Sequence, residues 1–162
     1  MAEIPLWKLA LGPVAGAFIT ALAAYFITQL TLHRQQQLAL KRATIDFLEA
    51  RNRDDSYRKL RAQLIDIVSN RSISTEQWAD ADNDTSPERH AIRDILNDHE
   101  LMAVGISTKI FDENTCKEYL RAWLLEDMKD LMPFVHAFRK RTNDNTTYVY
   151  AETLANKWRN SS

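Results

Sequence analysis

The spacing of apolar residues changes once along the chain. Residues 9–32, "LALGPVAGAFITALAAYFITQLTL", contain no charged side chain. At about 1.5 Å of rise per residue, a helix of this length crosses the roughly 30 Å hydrocarbon core of a bilayer. Trp7 and Lys8 at one end, with His33 and Arg34 at the other, are residue types that anchor a span at the two interfaces. Beyond this stretch apolar residues return every third and fourth position, the period of a helix with one buried face. Tyr57, Leu60, Leu64, Ile67 and Val68 form one such stripe. Ile92, Ile95, Leu96, Met102, Ala103, Ile106 and Ile110 form a second, and Cys116, Tyr119, Leu120, Trp123, Leu124, Leu131, Phe134 and Phe138 a third. Tyr148, Ala151, Leu154 and Trp158 complete the set.

Boundary residues divide these stripes into helices. Asp54 or Asp55 can cap the helix that carries Tyr57, and Ser86 followed by Pro87 is a helix start, because proline suits the first helical position. Either Asp112 or the Thr115 to Glu118 capping box can open the next helix, in which Pro133 predicts a kink. The segment "SISTEQWADADNDTSPE" is the one long polar connection, with a short helical turn expected near Trp78. Two long helices joined near Phe111 are therefore expected to pack as an antiparallel hairpin. The predicted fold is all-α: one N-terminal transmembrane helix continuing into a cytoplasmic bundle of four or five helices. Residues 1–34 form the membrane anchor and residues 35–162 the cytoplasmic helical domain.

Charge adds an orientation. Lys8 is the only basic residue before the span, whereas Arg34, Lys41, Arg42 and Arg51 follow it closely. The positive-inside rule then places the N-terminus outside and the domain in the cytoplasm, at a bacterial inner membrane. A cleaved signal peptide, with "ALA" at residues 21–23 as its cleavage site, fits less well, because the apolar run continues to residue 32. Within the span Gly12, Gly16, Thr20 and Ala24 recur every four residues. They make a ridge of small side chains on which two helices can approach closely, so a homo-oligomer is expected. The net charge of −1 offers no general field for nucleic acid. The single cysteine, Cys116, cannot form an internal disulfide.

Few residues propose chemistry. The run "DADND", residues 80–84, imitates the start of a calcium loop, but Thr85 replaces the turn glycine and Ala91 stands where a bidentate glutamate is needed. His90, Asp94 and Asp98 share a helix face at i, i+4, i+8, without a second ligand cluster to complete a metal site. Cys116 falls on an apolar stripe, as a small core residue would. No phosphate loop or nucleophile elbow occurs, so no catalytic, metal or cofactor residues are assigned and no cofactor is expected. Two positions do break the rule that apolar faces are apolar. His99 and Asp127 each sit at the middle of such a face, on the two helices of the expected hairpin. A buried polar group left unpaired costs on the order of 1–3 kcal/mol, so each is a candidate partner for the other. Gly105, inside the same hairpin, costs about 1 kcal/mol against alanine and is expected to admit a close neighbouring helix.

The segments "KRATIDFLE", "ILNDHELMAVGISTKIFDE" and "LANKW" carry a resemblance. Over residues 42–158 the chain resembles the uncharacterised bacterial and phage family of domain of unknown function 4760, most specifically at Asn97, Glu100, Gly105, Ile106 and Asp112. The resemblance implies an N-terminal membrane helix ahead of a small helical domain, and a phage or prophage setting. It implies no activity. The functional expectation is a membrane-anchored interaction or regulatory module, not an enzyme, whose partners are the lipid bilayer, a second copy and an unidentified protein. A second reading is a membrane-perturbing effector in host defence with a cytoplasmic sensing domain. A third is an enzyme whose site leaves no motif. Co-purified partners would distinguish the first from the third, and bilayer permeability on overexpression would favour the second.

Overall fold

Each apolar stripe becomes a helix, and a nearby side chain fixes the start of the first three. The structure, a computed structural model, describes residues 6–70 and 74–161, with side chains from residue 16 onward. Its helices are α1 (Leu6–Arg53), α2 (Asp55–Ser69), α3 (Pro87–Ser107), α4 (Glu113–Thr142) and α5 (Val149–Asn160), with 3-10 turns at Thr75–Ala79 and Ala81–Asn83. No strand occurs among the described residues, and the fold is all-α. Asp54 accepts a hydrogen bond from Ser56 N at 2.8 Å and caps α2. Ser86 accepts from Arg89 N at 3.2 Å, with Pro87 opening α3. Asp112 caps α4, accepting from both the backbone and the hydroxyl of Thr115. These bonds satisfy N–H groups that a helix start leaves without partners.

The chain divides into two compact units, Met1–Ala39 and Leu40–Ser162. In the first, every side chain from residue 16 to residue 39 is exposed, including Phe18, Ile19, Phe26 and Leu30. Thr20, Thr28 and Thr31 donate their hydroxyls to the carbonyls four residues earlier, at 2.8–2.9 Å. The polar groups of the helix are thus turned back onto it, which suits an apolar environment. Gly16 and Thr20 follow in the described part of this helix, with Ala24 beyond them, whereas Gly12 lies outside the residues whose side chains are described.

The second unit has a closed core. Ile92, Ile95, Leu96 and Met102 of α3 meet Leu120, Leu124, Leu131 and Phe134 of α4, and Trp158 of α5 is fully buried among them. Three residues expected on these stripes lie elsewhere. Ile110 is 59 % exposed because α3 ends at Ser107, before it, and Tyr119 and Trp123 are exposed because they form their own row beside the buried one. Helix α4 runs through Pro133 as one element.

Gly105 makes its close contact with a ring rather than with a neighbouring helix. The chain reverses after α3 through Lys109, which adopts a left-handed backbone, and the amides of Ile110 and Phe111 donate to the Gly105 carbonyl at 2.8 and 3.0 Å. The Phe111 ring then lies where a Cβ on residue 105 would be. It stacks on Phe47 with centroids 4.6 Å apart, while Asp112 N donates to Thr44 Oγ1 at 2.8 Å. The "KRATIDFLE" and "GISTKIFDE" segments therefore meet in space.

Candidate functional site

Helices α2, α3 and α4 bring charged side chains into the edge of the core. His99, with no exposed surface, places Nε2 2.7 Å from Oδ2 of Asp127, which is itself 5 % exposed. The two residues predicted as partners are thus together. Arg61 of α2 joins them, its Nη1 pairing with the same Asp127 oxygen. With a proton on Nε2, His99 donates to Asp127, and its buried Nδ1, which has no hydrogen-bond partner, remains a lone pair. That tautomer avoids burying an unpaired N–H. Burial alone pushes the Asp127 carboxyl up, but the hydrogen bond from His99 and the charge of Arg61 outweigh it and hold the group below the usual carboxylate range.

A second ion pair lies nearby. Arg51, at the end of α1, pairs with Asp98 of α3, bonds the Tyr57 hydroxyl and lies over the Tyr57 ring, 4.4 Å from its centroid. Burial raises the Asp98 carboxyl despite Arg51, and raises the Tyr57 phenol as well. Neighbouring residues of α3 thus face two arginines, Asp98 toward Arg51 and His99, through Asp127, toward Arg61. These charges bind α2 and the end of α1 to the hairpin in a partly buried setting, where register is the better attested consequence of an ion pair.

One side of this network opens outward. A cleft of about 700 Å³ lies between α2 and α4, with Leu64, Ile65 and Val68 on one wall, Trp123 on the other, and Arg61 and Asp127 between them. Arg61 lies over the Trp123 indole at 5.3 Å from the ring centroid, a cation–π contact. Ile65 is 55 % and Trp123 39 % exposed. His99 lies behind Asp127, so a molecule in the cleft meets the carboxylate and the guanidinium before the imidazole.

Other candidates have structural partners. Cys116 is fully buried, and burial pushes its thiol up to about 11, which keeps it protonated and unreactive at neutral pH. Residues 80–84 wrap in 3-10 turns around an arginine: the Asp80 carbonyl accepts from Arg89 Nη1 at 2.8 Å, and Asp84 pairs with the same group. Asp98, one of three spaced acceptors on α3, is held by Arg51. Among the described residues no three His, Cys, Asp or Glu side chains gather as a metal site.

Arg61 and Trp123 escape a sequence reading for opposite reasons. Arg61 sits in a basic run that reads as a solvated face, yet it lies four residues after Tyr57 and three before Leu64, on the apolar stripe of α2. That position is the signal. Trp123 reads as core because it falls on the apolar stripe of α4.

Three of the residues that carry the resemblance have identifiable structural work. Glu100 accepts from Ala151 N at 2.8 Å and Tyr150 N at 3.3 Å, so it caps α5 in place of a local side chain. Gly105 admits Phe111, and Asp112 caps α4. A family model described as "Domain of unknown function (DUF4760)" matches residues 15–158. No similarity was found to a curated protein or to a solved structure.

Proposed function

The chain belongs to the DUF4760 family, and we propose that it is a single-pass membrane-anchored module that works by association rather than catalysis. One observation carries the anchor: by length and composition α1 from Gly16 onward is long and apolar enough to cross a membrane, and none of its apolar window is buried. Such a surface needs lipid or another protein against it. The basic residues that follow it support a bacterial inner-membrane location with the N-terminus outside and the helical domain in the cytoplasm. Gly16, Thr20 and Ala24, with Gly12 before them, supply a ridge for pairing with a second copy. The α2–α4 cleft receives the protein partner, through the exposed Trp123 and Ile65 beside the Arg61–Asp127 pair.

Deleting residues 1–32 should move the chain from the membrane to the soluble fraction, and a reporter at the C-terminus should be active on the cytoplasmic side. Activity only in the periplasm overturns the orientation. Trp123→Ala should remove a protein that cross-links to the full chain in membranes, while leaving the unfolding midpoint of the domain within the small range of surface changes. An unchanged cross-linking pattern removes the cleft from the account.

A further inference from the structure

Away from the α2–α4 cleft, three guanidinium groups converge on one aromatic ring. Arg89 and Arg93 come from successive turns of α3, and Arg141 from the last turn of α4. Their Cζ atoms lie 5.5, 5.8 and 5.4 Å from the centroid of the Phe138 ring. Charges of one sign this close repel one another unless an anion sits between them. Asp84 is that anion for two of them: its Oδ1 accepts from Arg141 Nη1 at 2.8 Å and pairs with Arg89 Nη1. Arg93 pairs with no carboxylate among the described residues and lies close to the Tyr148 phenol, whose ionised form it favours against burial. Glu100 also bears on Tyr148, but its oxygens are committed to the first amides of α5, and Asp94 is exposed.

The cluster has unused donors. Arg89 is 97 % buried by its 3 % exposure, and its Nε, like that of Arg93, is buried with no partner. Asp84, by contrast, leaves 54 % of its side chain exposed. The position beside Asp84 is therefore open to solvent, while Arg89 is held by the fold and Arg141 reaches it from the surface with 30 % of its side chain exposed. Tyr148 is held in a left-handed backbone beside it, φ 61°, the kind of local strain that structures retain at binding sites.

We propose that Arg89, Arg93 and Arg141 form a binding site for a phosphate group, and that Asp84 holds the place of the ligand until a more highly charged oxyanion displaces it. One carboxylate brings a single charge and two oxygens to three forked donors. A phosphate monoester or diphosphate brings more of both, and the planar guanidinium matches its oxygens in pairs. A soluble phosphate compound and a lipid headgroup share this chemistry.

The test uses the full-length chain in detergent micelles at constant ionic strength, titrated with inorganic phosphate and pyrophosphate. In parallel, the chain is floated with vesicles of phosphatidylglycerol or of phosphatidylcholine alone. Saturable binding is expected in at least one arm; pyrophosphate in solution identifies a soluble ligand, and selective flotation with phosphatidylglycerol a headgroup. Asp84→Asn, at an exposed position, should tighten binding about tenfold, and Arg93→Gln and Arg141→Gln should each weaken it about tenfold. Arg141→Lys should recover only part of the loss, because it restores charge without the fork. Arg89 is left intact because removing it would disturb the fold, and melting curves without ligand verify the other variants. No saturable binding in either arm overturns the proposal. So does binding that the Arg93→Gln/Arg141→Gln double change leaves intact, or that Asp84→Asn weakens.

Discussion

Phe26 and Phe134 are the same side chain in two environments. Phe26, in the first unit, is 62 % exposed, and Phe134, at the centre of the second, has no exposed surface. Both lie on helices, and helix propensity does not separate them. The difference lies in what surrounds the helix. α4 has a polar face and an apolar face, and the apolar one is covered by α3 and α5. From Gly16 to Leu32, α1 carries no charged side chain and nothing in its own unit covers it. A helix with a single apolar stripe builds a core, whereas one that is apolar all round needs a second solvent.

That contrast is broken most directly by truncating each ring. Phe134→Ala should lower the stability of the helical domain by about 3–5 kcal/mol, through lost burial and the cavity left behind. Phe26→Ala should change the same unfolding transition by no more than about 0.5 kcal/mol, because its ring is exposed. Chemical denaturation of the full chain in micelles, followed by tryptophan fluorescence to which the buried Trp158 contributes, reads both. Comparable losses for the two variants would show that the apolar helix is part of the folded domain.

The sequence was most readable where the physics is local. Asp54, Ser86 with Pro87, and Asp112 mark helix starts because a cap uses a side chain within a few residues of the amide it satisfies. The cap of α5 was not legible, because its carboxylate comes from Glu100, some fifty positions away. His99 and Asp127 stood out as polar residues on apolar faces, and the structure brings them together. Arg61 did not, since one charge in a basic run carries no mark of its partner. The Arg89, Arg93 and Arg141 cluster was hidden for the same reason: Asp84, α3 and α4 supply it from three separate segments. Tyr119 and Trp123 show the limit of periodicity, which finds a face but not its width.

A smaller effect tests whether the polar part of the core is a unit. Alanine at His99, at Asp127 and at both should give a coupling of about 0.5–3 kcal/mol, as contacting residues do, and additivity within about 0.5 kcal/mol would separate the two side chains energetically. The pH dependence gives an independent sign. Asp127 is held below the ordinary carboxylate range in the folded state, so its contribution is present above the unfolded pKa of about 3.9 and is lost as pH falls through the folded value. Asp127→Asn should therefore flatten the acid side of the stability curve. Asp98, raised by burial, acts in the opposite sense: its ionisation costs stability as pH rises from the unfolded value through the folded one. Asp98→Asn should leave the acid loss at least as steep, and flattening of both curves alike would remove Asp127 as its source.

The smallest effect on the domain is expected from the ridge of the first unit, and there the absence of a change is informative. A Cβ built at Gly16 meets nothing within 4 Å, so Gly16→Ile together with Thr20→Leu introduces bulk without a clash in the chain itself. Thr20 also gives up its hydroxyl bond to the Gly16 carbonyl, 2.9 Å, which is an apolar helix's internal accommodation rather than a contact to another element. The unfolding midpoint of the helical domain should stay within about 0.5 kcal/mol of the parent. Any consequence must then fall on a second helix. In a bilayer, lipid tails match apolar side chains, so association depends on backbones approaching across small residues, and an isoleucine at the point of approach holds them apart. Cross-linking of the membrane segment in its native orientation should therefore fall sharply in the double variant. If it persists at the parental level, Gly16 and Thr20 face lipid, and any pairing of copies is held by the helices beyond Leu40.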